Sequence, residues 1–326
     1  MTSYAAAIRE AFFYLLKNHK ECFCIGQGLW SPWYVGSSMQ DLDKEFGKER
    51  VIDTPVSEWG VTGAAVGASL FGYRPIVIHP RMDFMLLATD PIVNQAAKWS
   101  HMLGGRVGAG VTIRGIVNRH GEQGAQHSQA LHAWYAHIPG LRVVMPATAR
   151  DARDLLIASA LCDDPVLYID DRDCYDLTED LPPVVEMDLR REGPRILREG
   201  RDITLVGASY STQLCLQAAQ CLSQDGIEAE VVDVRVLNPL DNSAIVASVR
   251  KTGALVCVDG GWRNCGLAGE IIAGVCERLA PGEMKRTPGR ITLPDAPAPT
   301  SKPLEQIYYP TAETVVAKVQ SILSPN

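Results

Sequence analysis

Short apolar runs rich in Val and Ile recur along this chain, separated by helical patterns, and that alternation is the feature that most limits its fold. Cys22–Ile25, Pro75–His79, Val111–Ile116, Arg142–Met145 and Pro165–Ile169 read as strands in the first half, and Ile203–Val206, Ala229–Val234, Ala254–Val258 and Arg290–Leu293 in the second. From residue 4, Ile8, Ala11, Phe12 and Leu15 fall on one helical face. Further helical patterns cover Val61–Phe71, Thr89–Leu103, Thr148–Leu161 and about Ala312–Ile322. Buried strands alternating with helices predict an α/β fold with parallel sheets covered on both faces.

The pattern breaks once. Asp176–Arg201 is charged, contains Pro182-Pro183 and Gly193-Pro194, and has no periodicity, as linkers do. The expected organisation is therefore two doubly wound domains, residues 1–178 and 201–326, joined by a linker over 179–200. A length of 326 residues suits two cores better than one.

Composition excludes several function classes. The net charge of −7 carries no Lys/Arg track for phosphates, so nucleic acid is not an expected partner. Apolar stretches stop short of the ~20 residues of a membrane span, and no basic segment leads into an apolar leader. The expectation is a cytoplasmic protein that does not engage a membrane. Nine cysteines include no Cys-x-x-Cys and read as reduced, mostly buried thiols.

Two stretches carry candidate chemistry. In Asp53-Thr54-Pro55-Val56-Ser57-Glu58-Trp59-Gly60, Pro55 disfavours helix at Thr54, so Glu58 falls at or just before a helix start. A helix start favours the ionised carboxylate. Gly60, Gly63 and Gly67 do not form a dinucleotide fingerprint and read as packing residues. In Gln123-Gly124-Ala125-Gln126-His127-Ser128-Gln129, His127 lies in a polar loop beyond a strand, where α/β proteins place ligands. His127, His132 and His137 recur every five residues, an advance of about 500° that scatters them around a helix, so no metal site is expected from them. Hydrolase and Walker motifs are absent. Residues alone stop at a two-domain α/β protein with a polar pocket near Glu58 or His127.

The order of the pieces adds more. Asp53-Thr54-Pro55-Val56-Ser57-Glu58-x-Gly60, Gly72-Tyr73-Arg74-Pro75-Ile76, Asp83-Phe84, Asn94-x-Ala96-Ala97-Lys98, Gly124-Ala125-Gln126-His127-Ser128-Gln129 and His137-x-Pro139-Gly140-Leu141 follow in register. After the linker come Asp233-x-Arg235-x-Leu237-x-Pro239-Leu240-Asp241 and Asp259-Gly260-Gly261-Trp262. Nearly the whole chain thereby resembles the β subunits of thiamine-diphosphate-dependent 2-oxoacid dehydrogenases (E1) of the pyruvate and branched-chain type, in the transketolase superfamily. The resemblance implies a transketolase-like pyrimidine-binding domain followed by a transketolase C-terminal domain. It implies that Glu58 hydrogen-bonds N1′ of the coenzyme's aminopyrimidine, that Phe84 stacks on that ring, and that His127 faces the substrate to orient a carboxylate or pass a proton.

The family's diphosphate and Mg²⁺ motif, a Gly-Asp-Gly with a downstream Asn, is not in this sequence. The resemblance places it on an α partner, giving an α₂β₂ heterotetramer. A lipoyl acyltransferase (E2) is the implied acceptor, and K⁺ near Ser159–Asp164 is a further suggestion. Departures are local. Gln27-Gly28 stands where an acidic pair is usual, Leu87 replaces the glutamine of pyruvate dehydrogenases, and Val117–Glu122 replaces a Pro-Asn-Gly run. These keep two alternatives open, a split transketolase-like or carboligating enzyme delivering a two-carbon unit to an aldehyde or sugar, and a non-catalytic regulatory subunit.

Overall fold

The computed structural model describes residues 1–324. Thr2–Ser3 pairs with Thr178–Glu179 in a separate two-stranded ribbon, and twelve strands form the two main sheets. In the first half they are β1 (Cys22–Gly26), β2 (Val51–Asp53), β3 (Arg74–His79), β4 (Thr112–Val117), β5 (Arg142–Val144) and β6 (Val166–Asp171); in the second, β7 (Arg195–Arg198), β8 (Ile203–Gly207), β9 (Ala229–Asp233), β10 (Val236–Asn238), β11 (Leu255–Trp262) and β12 (Gly289–Leu293). The main helices are α1 (Tyr4–Asn18), α2 (Glu58–Ser69), α3 (Ala149–Leu161), α4 (Tyr210–Gln224), α5 (Ser243–Thr252), α6 (Leu267–Cys276) and α7 (Ala312–Leu323). Among the described residues no helix is long and apolar enough to cross a membrane.

The first sheet has the order β10-β5-β6-β4-β3-β1-β2 and is parallel except for β10. The second has the order β12-β11-β8-β9-β7, with β7 antiparallel at its edge. Central strands β4 and β6 are buried at every position, which is why they read as continuous apolar runs rather than alternating ones. Their side chains still alternate between faces. Val166 and Tyr168 pack with α1 and α3, whereas Leu167 and Ile169 face the second sheet. Val206, Val232, Leu255 and Cys257 of that sheet complete the same cluster, so one apolar core runs across the seam. A third cluster covers the other face of the second sheet under α4 and α7.

Three strands of these sheets were not expected from the sequence; one is the short edge strand Val51–Asp53, which pairs with β1. Arg195–Arg198 lies inside the expected linker, where alternating charge hides an edge strand whose stability comes from backbone pairing with β9. Val236–Asn238 crosses over to pair with β5 of the first sheet.

Charges cross the seam as well. Asp151 of α3 meets Arg195, and Arg235 at 3.2 Å, while Arg235 also donates to Glu192 at 3.0 Å. Beside them the buried Asp233 accepts one hydrogen bond, from Thr212 Oγ1 at 3.0 Å, and its Oδ2 has no partner among the described residues. Burial, then the neighbouring negative charge of Asp151, push its pKa up to about 7. Because the folded pKa lies above the unfolded value of about 3.9, the stability from the protonated form is full below about pH 4. It is lost as pH rises through about 7. Urea midpoints at pH 5 and pH 8 are expected to differ less in Asp233→Asn than in the parent; an equal difference would place the titration elsewhere.

Candidate active site

Parallel strands β1, β2, β3, β4 and β6 all deliver their C-terminal ends to one rim, the place where open α/β sheets take ligands. β2 ends at Asp53, whose Oδ1 accepts from the Gly28 N–H at 2.6 Å, and Thr54 N–H donates to Gly26 O at 2.9 Å. These bonds fix the turn through Pro55. Gly26 is required here, because a Cβ would lie 2.5 Å from Ile78 O. Helix α2 then starts at Glu58 itself, and the Ser57 side chain makes no capping bond, so the first-turn N–H groups and the dipole act on Glu58.

Glu58 is half-buried and lines a hollow with Gly26, Thr54, Val61, Val77 and His79. Among the described residues its carboxylate takes part in no hydrogen bond or ion pair. One turn further on, Thr62 Oγ1 lies 3.2 Å from Nε2 of the buried His79. Burial lowers the His79 pKa to about 4, so its imidazole is neutral at physiological pH. The hollow thus holds an unpaired acid with no competing cation.

Beyond β3, Phe84 meets His127 of the β4 loop edge to face, with centroids 5.3 Å apart and planes at 83°. Asp83 anchors this loop. Its Oδ1 accepts from the Gln129 backbone at 3.2 Å and the Gln129 side chain at 2.9 Å. Burial raises the Asp83 pKa, and Oδ2 is unpartnered. The other end of the loop is tied across the seam. Arg119 donates to Asp171 at 2.7 Å and to Gly260 O at 2.8 Å, and His120 pairs with Asp173 at 2.6 Å.

The structure therefore brings Phe84 and His127 together. It places Glu58 on the same rim at a different strand end, without contact to that pair among the described residues. Sequence reading missed Tyr34, Arg81 and Arg172, which reach this rim from three separate segments and belong to no motif.

Residues 1–176 match the family model described as the transketolase pyrimidine-binding domain, and residues 194–315 match the transketolase C-terminal domain. The pyruvate dehydrogenase E1 component subunit beta of Rhizobium meliloti is 35% identical over 316 residues, which cover 97% of this chain and 68% of that protein. The chain belongs to the transketolase-like family of E1 β subunits. A second relative is the subunit beta of an acetoin:2,6-dichlorophenolindophenol oxidoreductase from Bacillus subtilis, 34% identical over 342 aligned positions, with 98% and 97% of the two chains covered. In fold, the chain is similar to a solved split-gene transketolase described as an inactive β₄ tetramer, with TM-score 0.78, 24% identity and 99% and 98% coverage.

This is a thiamine-diphosphate-dependent family, and the rim of this E1 β-type chain suits that coenzyme's pyrimidine. An unpaired carboxylate complements a ring nitrogen that must take a proton, and the half-buried Phe84 ring complements a flat heterocycle.

Proposed function

We propose that this chain is the β half of a thiamine-diphosphate-dependent 2-oxoacid dehydrogenase E1, acting on a pyruvate-like 2-oxoacid and passing the acyl unit to a lipoyl carrier. The observation that carries the reading is the isolated Glu58 carboxylate at the start of α2 with an apolar collar around it. Val56 and Trp59, which flank Glu58 in the chain, are 66% and 62% exposed, and Leu87, beyond β3, is 63% exposed. Apolar surface of this kind marks a site that another chain covers. That chain is the α subunit, in an α₂β₂ assembly.

When bound, thiamine diphosphate supplies the nucleophilic carbon and the electron sink for decarboxylation. Glu58 is assigned to N1′ of the pyrimidine. There its negative charge, sealed from water by the α chain, holds a proton on the ring far more firmly than it would in bulk solvent. Phe84 is assigned to the face of the ring. His127, whose orientation is set by the edge-to-face contact with Phe84 and by the Asp83–Gln129 bonds two residues on, is assigned to the substrate's carboxylate. The diphosphate and Mg²⁺ belong to the α partner, whose motif this sequence lacks. At the Ser159–Asp164 turn, where the resemblance suggests K⁺, Cys162 O accepts from Arg74 at 2.9 Å.

Mixing the chain with its α partner, thiamine diphosphate, Mg²⁺, pyruvate or a branched-chain 2-oxoacid, and a lipoyl domain is expected to give acylated lipoyl domain, detected by mass. Product formed only with aldehyde or sugar acceptors would replace the lipoyl step by two-carbon transfer. That second reading is favoured by the cations at the rim.

A further inference from the structure

We infer that the open edge of β12 and the flank of α7 form a groove that takes an extended acidic segment of another protein as a further strand of the second sheet.

Topology leaves the edge free. β12 stands at one end of that sheet and pairs only with β11. A strand so placed carries outward backbone N–H and C=O groups along its free side. Apart from the pairing with β11, the described residues offer the backbone of 290–293 a single bond, from Thr292 Oγ1 to Leu293 O at 3.2 Å. Beside the edge runs a groove of about 760 Å³. Residues 290–295 line it in unbroken succession. Strand side chains alternate between faces, so the wall is the edge of β12 and not one of its faces. Both faces are already covered. Ile291 packs in the cluster under α7, and Arg290 Nη1 would lie 3.3 Å from a Cβ on Gly269 of α6. Thr314, Ala317, Lys318 and Ser321, spaced as one side of a helix, make the opposite wall. An edge strand facing a helix across a groove is an arrangement that captures extended peptides by strand addition.

Charge selects the segment. Arg263, the first residue past β11, lines the groove with Arg290 and Lys318, and Asp295 is the one acid lining it. Among the described residues none of the three cations makes an ion pair or a side-chain hydrogen bond. Other cations of the second half are paired: Arg198 with Glu228, Arg250 with Glu283 and Lys251 with Glu199. In a chain of net charge −7, this edge is thus a local concentration of free positive charge. A second copy is a poor occupant, because edge-to-edge pairing would set like charges against one another. An acidic strand meets the cations with opposite charge. Its alternate side chains can take apolar contact from Ile307, which also lines the groove and is 82% exposed.

The test is fluorescence anisotropy of a labelled, end-blocked peptide of alternating Glu and Val. It is titrated with the full chain and with the chain assembled with its α partner. Saturable binding to both is expected, weakened about tenfold in Arg290→Glu and in Lys318→Glu, with unchanged melting temperatures. Two further peptides separate strand addition from charge alone. One has Lys in place of Glu. The other has Pro at two neighbouring central positions, which removes a backbone donor from each of its edges. Both are expected to bind at least about tenfold more weakly. Hydrogen exchange read by mass spectrometry is the second readout. The bound peptide should slow exchange across 289–295, which adsorption to surface charge would not do. No binding to the parent chain, a proline peptide that binds as well as the first, or unchanged exchange at 289–295 would each overturn the inference. So would binding to the free chain that the α chain abolishes, since α then covers the edge. Sedimentation showing assembled enzyme that pairs further, and separates in Arg290→Glu, would give the edge to a second copy and overturn it too.

Discussion

Glu58→Gln is expected to lower thiamine-diphosphate-dependent turnover of the assembled enzyme by about 10²–10⁴-fold, with little change in folding or in assembly with the α chain. Glutamine keeps the shape and the hydrogen-bonding capacity of the side chain but not its charge, so only a role that needs a carboxylate is lost. The fold has little to lose. Glu58 has no partner of its own in the described chain, and its interaction with the start of α2 is worth about 0.3–1 kcal/mol. Circular dichroism melting and gel filtration of the complex separate the two effects. The discriminating comparison is Glu58→Asp, which keeps the charge but shortens the reach, and should retain more activity than Gln. Full turnover in the glutamine variant would move the catalytic acid elsewhere on the rim.

Glu58 could be found from sequence because the signals that place it are local. Pro55, the glycines after it and the acidic residue itself fix a helix start within eight residues, and α2 begins there. His127 was marked by its polar loop beyond a strand and Phe84 only by resemblance, and no local signal reports that these two loops, about forty residues apart, meet edge to face. Arg81, Arg172 and Tyr34 lay beyond both routes. Each looks like an ordinary surface residue until the order β6-β4-β3 brings their strand ends together. The same physics hid the strands at the seam. Val236–Asn238 is three residues long and pairs with a segment over ninety residues earlier, and Arg195–Arg198 draws its stability from backbone bonds that no composition records. Buried central strands announce themselves by apolar content, whereas edges and rims are set by long-range pairing.

Arg114→Met is expected to destabilise the protein by about 3–5 kcal/mol, the largest stability loss anticipated for a single substitution near the site. Arg114 on β4 and Asp170 on β6 are both fully buried and doubly bonded, Nε to Oδ1 at 2.9 Å and Nη2 to Oδ2 at 2.8 Å. Ser38 Oγ accepts from Nη1 at 2.8 Å, and Tyr175 joins through bonds of 3.1 Å from Nη2 and 2.6 Å to Asp170 Oδ2. Methionine fills much of the volume but leaves Asp170 a buried carboxylate whose remaining donor is Tyr175. The double variant Arg114→Met/Asp170→Leu removes both charges and should regain most of the loss, because the attraction within a buried pair largely offsets its own desolvation. Urea unfolding of the two single variants and the double gives the coupling. If Arg114→Met alone costs under about 1 kcal/mol, water reaches the pair and the burial argument fails.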